Sequence, residues 1–245
     1  LINDLRMNYS SSSGRGRSWM DDFGGAVPLT DSQVFPTGIT SETGAFSLNI
    51  QGLAGYSFGG GNSNRQVQVN VVDSLTKTKR NHQYKAGADY RRILQTTMRT
   101  PYSLGVSFNG VTGYSQSFLT GQALNAMVSS NMEAVYPVYT NFSLYGQDTW
   151  QATERTTVTY GLRWDLNPAP STRKGPRPFA LSTDNVAGVT QNESLYPTRW
   201  YNIAPRVGVS YLSDITPGRE MMLRFGLGKF YDMGYGAVDG AFSGA

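Results

Sequence analysis

Cysteine is absent from the 245 residues, and histidine occurs once, at His82. The first absence excludes disulfides, thiolate-ligated zinc and thiol catalysis, and it fits an oxidising compartment managed without disulfides. With the one His read at a turn, no Ser/His/Asp set of an acyl hydrolase is identifiable. A single imidazole without neighbouring carboxylates or thiols also makes a poor metal site, so His82 is expected to be a solvated turn residue. No catalytic residue, metal or cofactor is expected, and the chain is read as non-enzymatic. Long apolar runs are missing as well: no window holds the roughly eighteen consecutive apolar residues of a membrane-spanning helix. Alternating strands escape that test, because their two faces average out on any hydropathy scale.

Charge is sparse, with Asp, Glu, Lys and Arg making up 16% of the residues. The net charge of +4 is spread along the chain, with small clusters at Lys77, Lys79, Arg80 and at Arg173, Lys174, Arg177. No stacking aromatics interleave with either cluster, so nucleic acid is not an expected partner. The Gly-rich FGGGNSN stretch lacks the Lys-Ser/Thr of a phosphate loop, and Asp21, Asp22 and Asp31 lack the closing Glu of a calcium loop. The segment LINDLRMNYS shows no basic, apolar and cleavage regions in order, so the chain is expected to begin inside something larger or after processing.

What the sequence does have is Tyr, Gly, Ser, Thr and Asn, a mean hydropathy of −0.37, and period-two alternation. In TTVTYGLRWDL, from Thr156 to Leu166, the residues Val158, Tyr160, Leu162, Trp164 and Leu166 share one parity. Thr157, Thr159, Gly161, Arg163 and Asp165 share the other, and successive strand side chains emerge on opposite faces. One face of this strand is greasy and the other is charged.

The same alternation recurs along the chain. Leu5, Met7 and Tyr9 alternate with Asp4, Arg6 and Asn8; residues 10–64 read mainly as loop, with a short strand at 46–50. Val67, Val69 and Val71, the TKTKRN turn, and Tyr84, Ala86, Ala88 and Tyr90 make a hairpin whose second strand carries Lys85, Gly87, Asp89 and Arg91 on its polar parity. Residues 95–134 read as a structured loop with a strand at 102–108 and a helical turn within 117–130. Tyr136, Val138, Phe142 and Leu144 oppose Asn141, Ser143, Tyr145 and Gln147 before the QATER turn; residues 167–199, rich in Pro, form another loop. Val207, Val209 and Tyr211 then oppose Arg206, Gly208 and Ser210, and after SDITPGRE the residues Leu223, Phe225 and Leu227 oppose Arg224, Gly226 and Gly228.

This gives about seven long strands of roughly ten to fourteen residues, with short connections after the second, fourth and sixth and long ones elsewhere. Strict alternation of short turns and long loops is the pattern of an antiparallel transmembrane β-barrel, with short turns in the periplasm. Trp150 and Tyr211 then fall at the periplasmic rim and Trp164, Trp200, Tyr201, Phe230 and Tyr231 at the extracellular rim, where amphipathic rings are preferred. Seven antiparallel strands cannot close, so residues 1–245 are expected to form an incomplete barrel domain without its closing strand.

Four segments, NHQYKAGADYRR (81–92), NFSLYGQDTWQATERTTVTYGLRWDLNPAP (141–170), NIAPRVGVSYLSD (202–214) and MLRFGLGKFYD (222–232), resemble the TonB-dependent outer-membrane receptors, in particular the Oar-like group. The resemblance implies a barrel of about 22 strands with an N-terminal plug, in the outer membrane of a Gram-negative bacterium. It also implies energy from the TonB complex, acting through the plug, and import of an unidentified nutrient captured by the long loops. No segment here resembles the plug.

Lys85, Asp89, Arg91, Arg163, Asp165, Arg206 and Arg224 are the lumen-facing candidates, either a ladder of cross-strand ion pairs or contacts to substrate or plug. Val158, Tyr160, Leu162, Leu223 and Phe225 are the lipid-facing candidates, with the bilayer as partner. Gly161, Gly208, Gly226 and Gly228 on the polar parity would let the wall curve. Arg173, Lys174 and Arg177 are expected to be solvated loop charges or contacts to surface lipid phosphates. The competing architecture is a secreted or surface β-sandwich adhesion module, in which Val158, Leu162, Leu223 and Phe225 would be buried against a second sheet. A hydrolytic outer-membrane enzyme ranks third.

Overall fold

Period-two segments rich in Tyr, Val and Thr form strands throughout the computed structural model. It describes residues 1–109, 117–130, 134–175, 180–181, 189–190, 194–216 and 219–232. In chain order the strands are β1 (Ile2–Ser18), β2 (Gly44–Ile50), β3 (Ala54–Lys79), β4 (His82–Met98), β5 (Tyr102–Phe108), β6 (Asn125–Ser130) and β7 (Pro137–Gln151). They continue with β8 (Thr156–Leu166), β9 (Ser171–Thr172), β10 (Ala180–Leu181), β11 (Val189–Thr190), β12 (Ile203–Thr216) and β13 (Arg219–Gly228). Single helical turns, α1 (Asp31–Val34) and α2 (Ser117–Thr120), interrupt the connections.

The chain divides into two compact units: Leu1–Ser11, Val67–Leu94 and the residues from Tyr136 onward make the first, Ser12–Gln66 and Gln95–Val135 the second. In the first unit β13, β12, β8, β7, β4, β3 and β1 pair in that order. From β4 to β13 every pairing is antiparallel, with Trp150 opposite both His82 and Val158, Val158 opposite Val209, and Val209 opposite Phe225. Tight turns join neighbours: Arg80 takes a left-handed φ of 53° between β3 and β4, and paired bonds between Thr153 and Thr156 close the β7–β8 turn. Residues 95–135 and 167–202 are insertions between neighbouring strands, because β4 pairs with β7 and β8 with β12 across them; within the second, β9 pairs with β7. Among the described residues the sheet does not close on itself. The most buried apolar side chains of this unit lie at the insertion end, at Pro137 and Ala204, with Ile93, Val138 and Tyr139 next.

The second unit is built around Phe35, which stacks on Phe58 at 5.9 Å and meets Tyr102 edge-on at 6.2 Å. There β2 pairs antiparallel with the start of β3 and parallel with β5, and β5 pairs antiparallel with β6. Gly59 is required: its φ is +99°, and a Cβ there would lie 2.2 Å from the Gly44 carbonyl oxygen. Arg15 and Arg17 both bind Glu42.

Several expectations are corrected. Thirteen strands, not seven long ones, occur among the described residues; of the six added, Gly44–Ile50 and Tyr102–Phe108 fall on the short strands expected at 46–50 and 102–108, and the other four, two to six residues long, lie in segments expected to be loop or helical turn. Residues 10–64 are not mainly loop, since β1 runs to Ser18 and β3 starts at Ala54, taking in the FGGGNSN stretch. These Gly- and Ser-rich stretches join a ladder of backbone hydrogen bonds, which needs no apolar side chains. Of residues 117–130 only Ser117–Thr120 is helical, and Asn125–Ser130 is strand β6. The last ten residues, Pro217, Gly218 and Arg177 lie outside the described residues.

Candidate functional site

In an antiparallel ladder, residues directly opposite one another share a face. Lys85, Gln147, Gly161, Arg206 and Gly228 therefore form one row across five strands of the first unit, and Asp89, Ser143 and Asp165 form another. Arg163, opposite Tyr145 and Ala204, lies between the two rows on this polar face. Its Nε donates to Asp165 Oδ1 at 2.8 Å, and its Nη2 donates to Ser143 Oγ at 2.7 Å and Asp89 Oδ2 at 3.3 Å. Asn70 of β3 donates from Nδ2 to the other Asp89 oxygen at 2.7 Å. The guanidinium fork is thus shared between two carboxylates and fixed by both, the geometry for which Arg is suited.

Of the seven charged candidates, Asp89, Arg163 and Asp165 are brought into this one node. Arg91 and Arg206 line a void of about 170 Å³ beside it, and Arg206 also lines an adjoining void of about 460 Å³. The Arg206 guanidinium lies 4.5 Å from the Phe230 ring centroid. Lys85 is half-buried in the Arg206 row. Arg224, opposite Ser210, sits towards the short-turn end with its Nε 3.1 Å from Met222 Sδ, apart from the node. The expected ladder is thus condensed to a cluster at Arg163. Of the glycines on this face, Gly87 and Gly161 meet hard obstacles: a Cβ would lie 2.4 Å from the Asp73 oxygen at the first and 2.6 Å from the Gly146 oxygen at the second, whereas at Gly208 and Gly226 it would make ordinary 3.6 Å contacts.

The opposite face of the same strands is apolar. Leu162 is 58% exposed, Leu223 52% and Phe225 64%; Tyr160 is exposed and Val158 half-buried. Among the described residues no second sheet packs on them, which is the reverse of what a β-sandwich requires. At the short-turn end this face carries a feature that the sequence reading missed. Asp148 shares the parity of Leu144 and Trp150, yet it is only 5% exposed. His82 Nδ1 lies 2.7 Å from its Oδ2, and the Tyr160 hydroxyl donates to the same oxygen at 2.8 Å. His82 is stacked against Tyr84 at 5.6 Å and Trp150 at 5.8 Å, so it is a half-buried partner of Asp148 rather than a solvated turn residue. The available signal was a carboxylate on an apolar parity, which demands partners.

At the other end Trp164 Nε1 donates to the Trp200 carbonyl at 2.6 Å, and Tyr231 donates to the Ile203 carbonyl at 3.3 Å. In the following loop Lys174 Nζ lies 4.3 Å and the Arg173 guanidinium 5.6 Å from the Tyr136 ring centroid, so both cations sit over an aromatic ring. Burial pushes the Tyr196 hydroxyl above the usual tyrosine range; it donates to the Pro168 carbonyl at 3.3 Å.

Among the described residues no helix is long and apolar enough to cross a membrane, a test that does not bear on strands. A sheet with one charged face, one exposed apolar face, short turns at one end and long insertions at the other has the architecture of an outer-membrane barrel wall. The family model described as outer membrane beta barrel domain matches residues 1–242. The chain belongs to this family, and its place is the outer membrane of a Gram-negative bacterium. No curated protein and no solved structure matches the chain.

Proposed function

We propose that this chain forms part of the wall of a TonB-dependent transporter of the Oar-like kind, a barrel of about 22 strands closed around a plug. The charged face lines the aqueous lumen, with Lys85, Asp89, Arg91, Arg163, Asp165, Arg206 and Arg224 towards solute or plug. Val158, Tyr160, Leu162, Leu223 and Phe225 meet lipid. The long insertions capture a nutrient too large for diffusion, and the TonB complex drives the plug rearrangement that admits it.

The observation that carries this reading is the exposure of Leu162, Leu223 and Phe225 on strands whose other face holds the Arg163 node. Exposed apolar side chains in a continuous band need a non-aqueous neighbour, and a bilayer supplies one. These 245 residues hold no cysteine, so an introduced one is the single thiol among them. In outer-membrane vesicles of the full-length protein, a cysteine at Thr159 or Gln147 is expected to react with a hydrophilic maleimide, and one at Leu162 or Phe225 only with a lipid-soluble reagent. Equal hydrophilic labelling of both sets would overturn the assignment of faces.

A further inference from the structure

On the aqueous-face reading just given, both carboxylates of the polar node are already engaged by Arg163, while two neighbouring cations have none among the described residues. Arg163 binds Asp165 and Asp89, and the second Asp89 oxygen takes the Asn70 amide. Arg91 and Arg206 are left facing the same void of about 170 Å³. The Arg91 Nε is shielded from solvent and makes no hydrogen bond, a costly state for a charged donor unless a ligand completes it. The Arg206 guanidinium lies over the face of Phe230, which steadies its plane and leaves its N–H edges available. The adjoining void of about 460 Å³ shares Asp89, Arg163 and Arg206 with the first, and its other walls include uncharged Val72, Gln147, Thr159 and Gly161.

We infer that Arg91 and Arg206 form a binding site for the oxyanion head, carboxylate or phosphate, of a small acidic solute whose uncharged body occupies the adjoining void. Guanidinium forks match both oxyanions bidentately, and a low-dielectric wall strengthens such contacts relative to water. The probes are succinate, inorganic phosphate and neutral succinamide, titrated calorimetrically into the full-length protein in detergent. At least one anion is expected to bind, and which one binds identifies the head group; succinamide is not expected to bind. In an Arg91→Gln/Arg206→Gln variant that retains heat-modifiable migration, the affinity is expected to fall by about tenfold or more. In the unsubstituted protein, the bound anion is expected to slow phenylglyoxal modification of Arg91 and Arg206, read by peptide mass, and not that of exposed Arg92. Binding of neither anion, equal binding of succinamide, undiminished binding by the double variant, or unprotected arginines would each overturn the site. If a cysteine at Thr159 still reacts with the hydrophilic maleimide in that case, the aqueous-face reading stands alone; if it does not, both fall.

Discussion

At the scale of single residues, Asp148 shows how a membrane wall tolerates a carboxylate on its apolar face. The cost of burying the group is offset by two donors to one oxygen, His82 and Tyr160, and by the rings of Tyr84 and Trp150 that flank His82. It lies towards the short-turn end, level with Tyr84 and Tyr160 and two residues from Trp150, among amphipathic rings that can keep one polar edge wet. Tyr160→Phe removes one donor without changing the shape of the site. The temperature of the heat-induced mobility shift in detergent is expected to fall by a few degrees, and Tyr84→Phe, which removes no such bond, is expected to leave it unchanged. An equal effect of both would mean that the hydroxyl bond contributes nothing. Parity placed Asp148 on the apolar face from the sequence, but its partner His82 is 66 residues away and could be found only once β4 and β7 were paired.

At the scale of elements, two features of the strands were unequally legible. Alternation within β4, β7, β8, β12 and β13 was readable because side-chain direction depends only on the local backbone. The extension of β1 to Ser18 and of β3 back to Ala54 was hidden, since Ser, Gly and Asn carry no facial contrast and their ordering comes from backbone pairing with distant segments. Close approach between strands is a further element-level property. Gly161 of β8 sits where an added methyl would meet the Gly146 carbonyl of β7, whereas an added methyl at Gly146 would find open space. Gly161→Ala is expected to destabilise the wall by about 1–3 kcal/mol, and Gly146→Ala to have little effect. Urea unfolding followed by tryptophan fluorescence distinguishes them; equal midpoints would show that β7 and β8 separate without cost.

At the scale of the whole molecule, membership of the outer-membrane barrel family sets the environment, and the proposed reading puts lipid against one of the two unlike sheet faces and water against the other. The proposed TonB dependence belongs to a full transporter and is tested there. Uptake of the native nutrient by cells is expected to cease when the inner-membrane energising complex is deleted, with surface binding retained. Uptake that persists would make the barrel a passive pore. The sequence alone determined the class of element, the parity of each long strand and the rhythm of short turns and long insertions, because all three follow from local backbone geometry and turn chemistry. Only the tertiary structure decided which polar side chains meet. The Arg163–Asp89 bond joins residues 74 positions apart, and a one-residue slip in register would have carried every such side chain to the other face. The charged node, the two uncommitted arginines beside it and the shielded Asp148 all arise from that register.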